Sequence, residues 1–215
     1  MGASTATTGS SDAAPPAGVG DAAGVALDRL LSGNERFVTA KERHRHQDEK
    51  WMASLREGQH PFATILGCAD SRFPPELLFD QGFGDLFVVR VAGHVIDEHV
   101  LGSLEYASIE LGTPLVMVLG HENCGAVTAA LELGDHPAGV AADVRSVLRA
   151  ITPAIAGVDR ALEPGERARQ AVEANVRWTV LRVRAALGAA GVDERRVAVV
   201  GAVVGFETGR VRLLD

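Results

Sequence analysis

At 215 residues, 47% of them apolar and 23% charged, the chain can bury one sizeable core, and its two cysteines are too few for a disulfide framework. A net charge of -7 argues against non-specific binding to nucleic acid or anionic lipid. No run of about 18 apolar residues is present, so no membrane-spanning segment is expected.

Residues 1–21 are rich in Gly, Ala, Ser, Thr and Pro and are expected to form a disordered tail ahead of one domain, 22–215. The tail has neither a basic start nor an apolar h-region, so a cytoplasmic protein is expected. Over 25–39, Leu27, Leu30, Leu31 and Phe37 recur at helical spacing. The charged stretch 41–50 carries His44 and His46, read as solvated surface because no third metal ligand lies nearby. Asp48 can cap a second helix reaching Gly58.

Residues 62–67 read as a buried strand, and Cys68-Ala69-Asp70-Ser71-Arg72 leaves its end. Pro74-Pro75 opens a short helix over 76–79. A strand follows over 86–91, then a helix capped by Asp97. Residues 115–119 form the next strand, with His121-Glu122-Asn123-Cys124 just past it and a helix over 125–133. Helices over 140–156 and 166–187 precede strands at 196–204 and 211–214. The expected fold is α/β: a mostly parallel four- or five-stranded sheet flanked by helices, with an N-terminal helical arm.

The two site segments hold both cysteines, a histidine, an aspartate and an arginine. Two thiolates and an imidazole are three of the four ligands of a tetrahedral zinc, and this mixture disfavours calcium and magnesium. Asp70 can be the fourth ligand or stand beside the metal. Ligand types alone weigh a closed structural zinc and an open catalytic one equally. Arg72, able to take Asp70 in a two-pronged pair, favours the open form. A redox role is weaker, since no C-x-x-C is present.

These residues carry a resemblance. The chain resembles the β-class carbonic anhydrases from about residue 62 to 127: C-A-D-S-R, P-P-E, D-L-F-V-V-R, S-L-E-Y and G-H-x-x-C-G-A-V, with looser agreement at Asn175-Val176 and near the C-terminus. The resemblance implies Cys68, His121 and Cys124 as zinc ligands and Asp70 and Arg72 as a catalytic dyad, with Asp70 a possible fourth ligand in a closed state. It implies Gln59, Phe87, Tyr106 and Gly125 at the substrate. The implied activity is reversible hydration of carbon dioxide to bicarbonate and a proton through a zinc-bound hydroxide, in a homodimer or homotetramer. A relative that hydrolyses carbon disulfide, and a non-catalytic zinc or bicarbonate-binding homologue, are the alternatives. Ile65 stands where a bicarbonate-regulated branch carries tryptophan, which favours an open resting site. Val91-Ala92-Gly93-His94 departs from the family's usual Asn-Ala-Gly-Asn, and Val204-Gly205 from its Tyr-Asp. His94 and His99 are read as surface or interface residues rather than proton carriers.

Overall fold

The computed structural model describes residues 20–134 and 139–215. The expected tail, 1–21, lies outside the described residues except for its last two positions, which open the first helix. In chain order the elements are α1 (Asp21–Val38), α2 (Glu49–Ser54), β1 (Ala63–Gly67), α3 (Pro75–Leu78), β2 (Leu86–Arg90), a 3-10 turn (Ala92–His94), α4 (Glu98–Ile109), β3 (Leu115–His121), α5 (Gly125–Leu133), α6 (Ala142–Ile155), α7 (Pro164–Ala189), β4 (Ala198–Val204) and β5 (Val211–Leu214). The caps expected at Asp48 and Asp97 form: Asp48 accepts from the Trp51 N–H, and Asp97 from those of His99 and Val100.

The sheet has five strands in the order β2-β1-β3-β4-β5. The first four run parallel, and β5 returns antiparallel to β4. β1 and β3 are buried along their whole length, as parallel strands covered on both faces must be. Alternate side chains divide the core. Leu66, Val116, Val118, Val199 and Val203 face α4 to α7, whereas Ile65, Met117, Leu119, Val200 and Ala202 face α1 and α3. The chain leaves β1 for β2 on one side and then crosses to β3 on the other. The β1/β3 boundary is therefore the topological switch point, where open α/β sheets bind ligands beyond their strand ends.

Two buried carboxylates anchor the N-terminal arm. Asp80 accepts hydrogen bonds from Arg36 Nε and from the backbone N–H groups of Arg43 and His44. Asp85 accepts from Arg29 Nη2 at 2.6 Å, His46 Nδ1 at 2.9 Å and the Gly82 N–H at 2.9 Å. His46 is thus not the freely solvated residue expected: its ring also stacks on Trp51 at 3.8 Å. Its neighbour His44 is exposed, as expected.

Burial works against the charge on Asp80, but hydrogen bonds from Arg36 and the two backbone donors more than offset it and hold the carboxyl below its ordinary value. A depressed carboxyl contributes stability that is fully present above its unfolded pKa of about 3.9 and is lost as pH falls through the folded value. The variant Asp80→Asn is expected to cost about 2 kcal/mol at neutral pH. Urea denaturation across pH checks this: the gap between wild type and variant closes as the pH drops below about 4.

Candidate metal centre

The sheet register explains why residues far apart in sequence meet. Gly67 lies opposite Arg90 on one side and Leu119 on the other, so Cys68 leaves the carboxyl edge between β2 and β3. β3 runs longer than expected and ends at His121, opposite Val204 of β4. Asn123 then turns the chain with φ 53, a left-handed conformation that asparagine tolerates better than most residues. The turn sets Cys124 as N-cap of α5.

The ligand atoms of Cys68, His121 and Cys124 lie within 4.8 Å of one another. His121 Nδ1 is 2.8 Å from the Glu122 carbonyl, which can only accept, so the proton sits on Nδ1 and Nε2 keeps its lone pair. That Nε2 is buried without a hydrogen-bond partner among the described residues. The ring is held from one side by Phe73, stacked at 4.7 Å. A hydrogen bond from the Cys124 thiol, with help from the Asp70 and Gly93 N–H groups, holds Cys68 well below the usual thiol range despite burial. Cys68 in turn pushes Cys124 up, against the first-turn N–H groups of α5. A divalent cation binds thiols as thiolates and would displace their protons. Two sulfurs and an imidazole lone pair, gathered with no other partner for the nitrogen, fit zinc.

Asp70 stands beside this cluster. Arg72 clasps it with Nε to Oδ1 at 2.9 Å and Nη2 to Oδ2 at 2.7 Å, and the Arg72 N–H adds a third bond at 3.0 Å. That clasp holds the Asp70 carboxyl well below its ordinary range. Asp70 Oδ2 lies 3.8 Å from His121 Nε2, close to the cluster yet beyond hydrogen-bond reach. Arg72 also reaches the Asn123 carbonyl at 3.3 Å and covers the Phe206 ring at 4.8 Å, tying the two segments together.

Three further supports emerge only from the folded structure. Arg90 donates to the carbonyls of Cys68 at 2.9 Å and Asp70 at 2.5 Å, clipping the loop that carries both. The Gly93 N–H donates to Cys68 Sγ at 3.3 Å. Glu122 orients His121 through its carbonyl and takes the Phe206 N–H on its carboxylate. Arg90 ends a strand beside the Cys68 segment, which is the one sequence signal available for any of them.

The expected substrate residues lie on four separate parts of the chain. Phe87 on β2 and Tyr106 on α4 meet at 6.2 Å, and Tyr106 remains exposed. Gly125 opens α5, where first-turn N–H groups lack helical partners. Gln59 is exposed in the loop before β1. His99 is exposed as expected, but His94 is not a surface residue. It is 1% exposed, and burial pushes its pKa down to about 4, against the pull of the Cys68 charge.

A switch-point cluster of two sulfurs and one imidazole, flanked by a clasped aspartate, defines an α/β protein with a thiolate–imidazole site that could hold a metal. Comparison with known proteins makes this specific. A family model described as carbonic anhydrase matches residues 63–211. A carbonic anhydrase of Mycolicibacterium smegmatis is 43% identical over 192 residues, covering 86% of this chain and 89% of that protein. Carbonic anhydrase 2 of Mycobacterium tuberculosis is 42% identical over 194 residues, covering 86% and 90%. The β-carbonic anhydrase of Coccomyxa, solved with acetazolamide, superposes with a TM-score of 0.68 at 28% identity, over 87% of this chain and 86% of that one. The chain belongs to the β-carbonic anhydrase family.

Proposed function

We propose that the protein catalyses the reversible hydration of carbon dioxide to bicarbonate and a proton, with zinc held by Cys68, His121 and Cys124. The observation that carries this reading is the convergence of those three ligand atoms within 4.8 Å, beside an aspartate already committed to arginine. Bound zinc supplies a Lewis acid that makes water nucleophilic near neutral pH.

The chain's own groups do the rest. Asp70, kept ionised by Arg72, is an acceptor only, and Oδ2 has lone-pair capacity beyond its bond to Arg72. It takes the nucleophile's proton in a hydrogen bond and so aims the attacking lone pair. Because Arg72 holds both carboxylate oxygens, Asp70 is kept from serving as a fourth ligand, and the resting site is of the open type. Arg90 fixes the loop carrying Cys68 and Asp70 through its two carbonyl contacts. Phe87 and Tyr106 supply an apolar wall for carbon dioxide. Gln59 and the Gly125 N–H donate to the oxygens of the forming bicarbonate.

β2 lies at the edge of the sheet and is only half-buried, and Tyr106 and Ile109 on the neighbouring α4 are exposed. We assign this face to contact with a second copy in a homodimer or homotetramer, which would also enclose the wall that Phe87 and Tyr106 begin. No helix among the described residues is long and apolar enough to cross a membrane. Two thiols held as ligands rather than as a disulfide suit a reducing compartment, and we place the protein in the cytoplasm.

Stopped-flow measurement of carbon dioxide hydration, paired with metal analysis of the same sample, tests the proposal. Turnover proportional to zinc content supports it. A zinc-loaded protein that leaves hydration at the uncatalysed rate overturns it.

A further inference from the structure

The turn after β2 is built in a conformation that side chains resist. Gly93 has φ 62 and His94 has φ 43, two left-handed residues in succession. At Gly93 a Cβ would come within 2.7 Å of Ile151 Cδ1, so a methyl there would force the buried Ile151 side chain to shift. At His94 the left-handed backbone is disfavoured for any L residue, and persists only where its surroundings over-determine it.

Those surroundings come from α7. Asn175 Nδ2 donates to the Gly93 carbonyl at 3.0 Å and lies 3.0 Å from His94 Nε2. A carbonyl can only accept, so this atom must be the amide nitrogen. Its second hydrogen therefore goes to His94 Nε2, and the imidazole carries its own proton on Nδ1. Both residues are buried, and burial keeps His94 neutral, as this acceptor role requires. The helix position is fixed next door by Val176, whose Cγ2 would lie 2.5 Å from a Cβ on Gly120 of β3. The turn is thus pinned at its carbonyl and at its side chain by one amide. The N–H it presents, that of Gly93, points at Cys68 Sγ at 3.3 Å.

We propose that Asn175 and His94 are a positioning pair that, through the Gly93 N–H, sets the negative charge carried by the Cys68 sulfur. The inference rests on the reading of Cys68 as a metal ligand. Neither residue is a ligand. They act by holding a donor that withdraws charge from one, as outer partners of a metal site do. A metal on a sulfur so depleted keeps more of its own Lewis acidity.

The test uses the full chain loaded with cobalt(II), whose thiolate-to-metal charge-transfer band reports charge on sulfur. The variants are Asn175→Leu, His94→Ala and His94→Asn. Releasing the Gly93 N–H leaves more charge on sulfur, so the band is expected to move to lower energy in Asn175→Leu and His94→Ala, and no further in the double variant. His94→Asn is expected to keep the wild-type band, because asparagine accepts a left-handed backbone and so preserves the turn whose Gly93 carbonyl Asn175 still holds. A general loss of packing would lower the thermal midpoint without moving the band. If Asn175→Leu fails to fold, the contrast between His94→Ala and His94→Asn decides the matter. An unmoved band in folded variants, or an equal shift in His94→Asn, overturns the positioning role. A wild-type protein that takes up cobalt without a charge-transfer band overturns the ligand reading itself.

Discussion

The variant Cys124→Ala is expected to lose its zinc and its turnover together. Zinc content should fall from about one per chain to below about 0.1, since two protein ligands do not retain the ion against its aqueous shell. Hydration should fall toward the uncatalysed rate with it, because the remaining residues bind and orient but do not by themselves make water nucleophilic. The fold should survive. Cys124 is a small buried residue at the N-cap of α5, where its backbone rather than its sulfur closes the helix through the Thr128 N–H. Its removal costs packing and the stabilisation that bound metal lends the native state. Circular dichroism, metal analysis and stopped-flow hydration on one sample measure all three. A folded variant with full zinc and full turnover would remove Cys124 from the site.

The variant Asp70→Asn separates binding from catalysis. Asparagine matches aspartate in shape but offers a donor where the carboxylate only accepts, and it gives up the charge that Arg72 clasps. Zinc content is expected to stay at the wild-type level, because Asp70 lies outside the three-residue cluster. Turnover is expected to drop about 10²-fold, the usual scale for losing one positioned proton acceptor. The loss should appear in kcat and kcat/KM alike, since the hydrogen bond concerned serves the attack rather than substrate capture. Unchanged turnover at full zinc would end the role assigned to the Asp70–Arg72 pair.

The sheet was legible because its central strands are short apolar runs bounded by turn residues. The candidate site was legible because its chemistry-bearing residues sit directly after those runs. Parallel strands put their carboxyl ends on one edge, so Cys68 and His121 had to be neighbours once β1 and β3 were. What stayed hidden depends on contacts between distant segments. His94 reads as a loop histidine until Asn175 of α7 is laid across it. His46 reads as solvated until Trp51 and Asp85 close around it. Glu173, which gathers Arg169, Arg177 and Arg212, reads as one more exposed helix charge until β5 brings Arg212 against α7. Gln59 is the reverse case: sequence points it at the substrate, yet it stands exposed within the single chain.

X-ray absorption at the zinc edge of the purified protein at neutral pH bears most directly on the account. It predicts two sulfur scatterers at about 2.3 Å and two lighter atoms at about 2.0–2.1 Å, one of them with the outer-shell pattern of imidazole. A protein without zinc, or a zinc with fewer than two sulfurs around it, would contradict it.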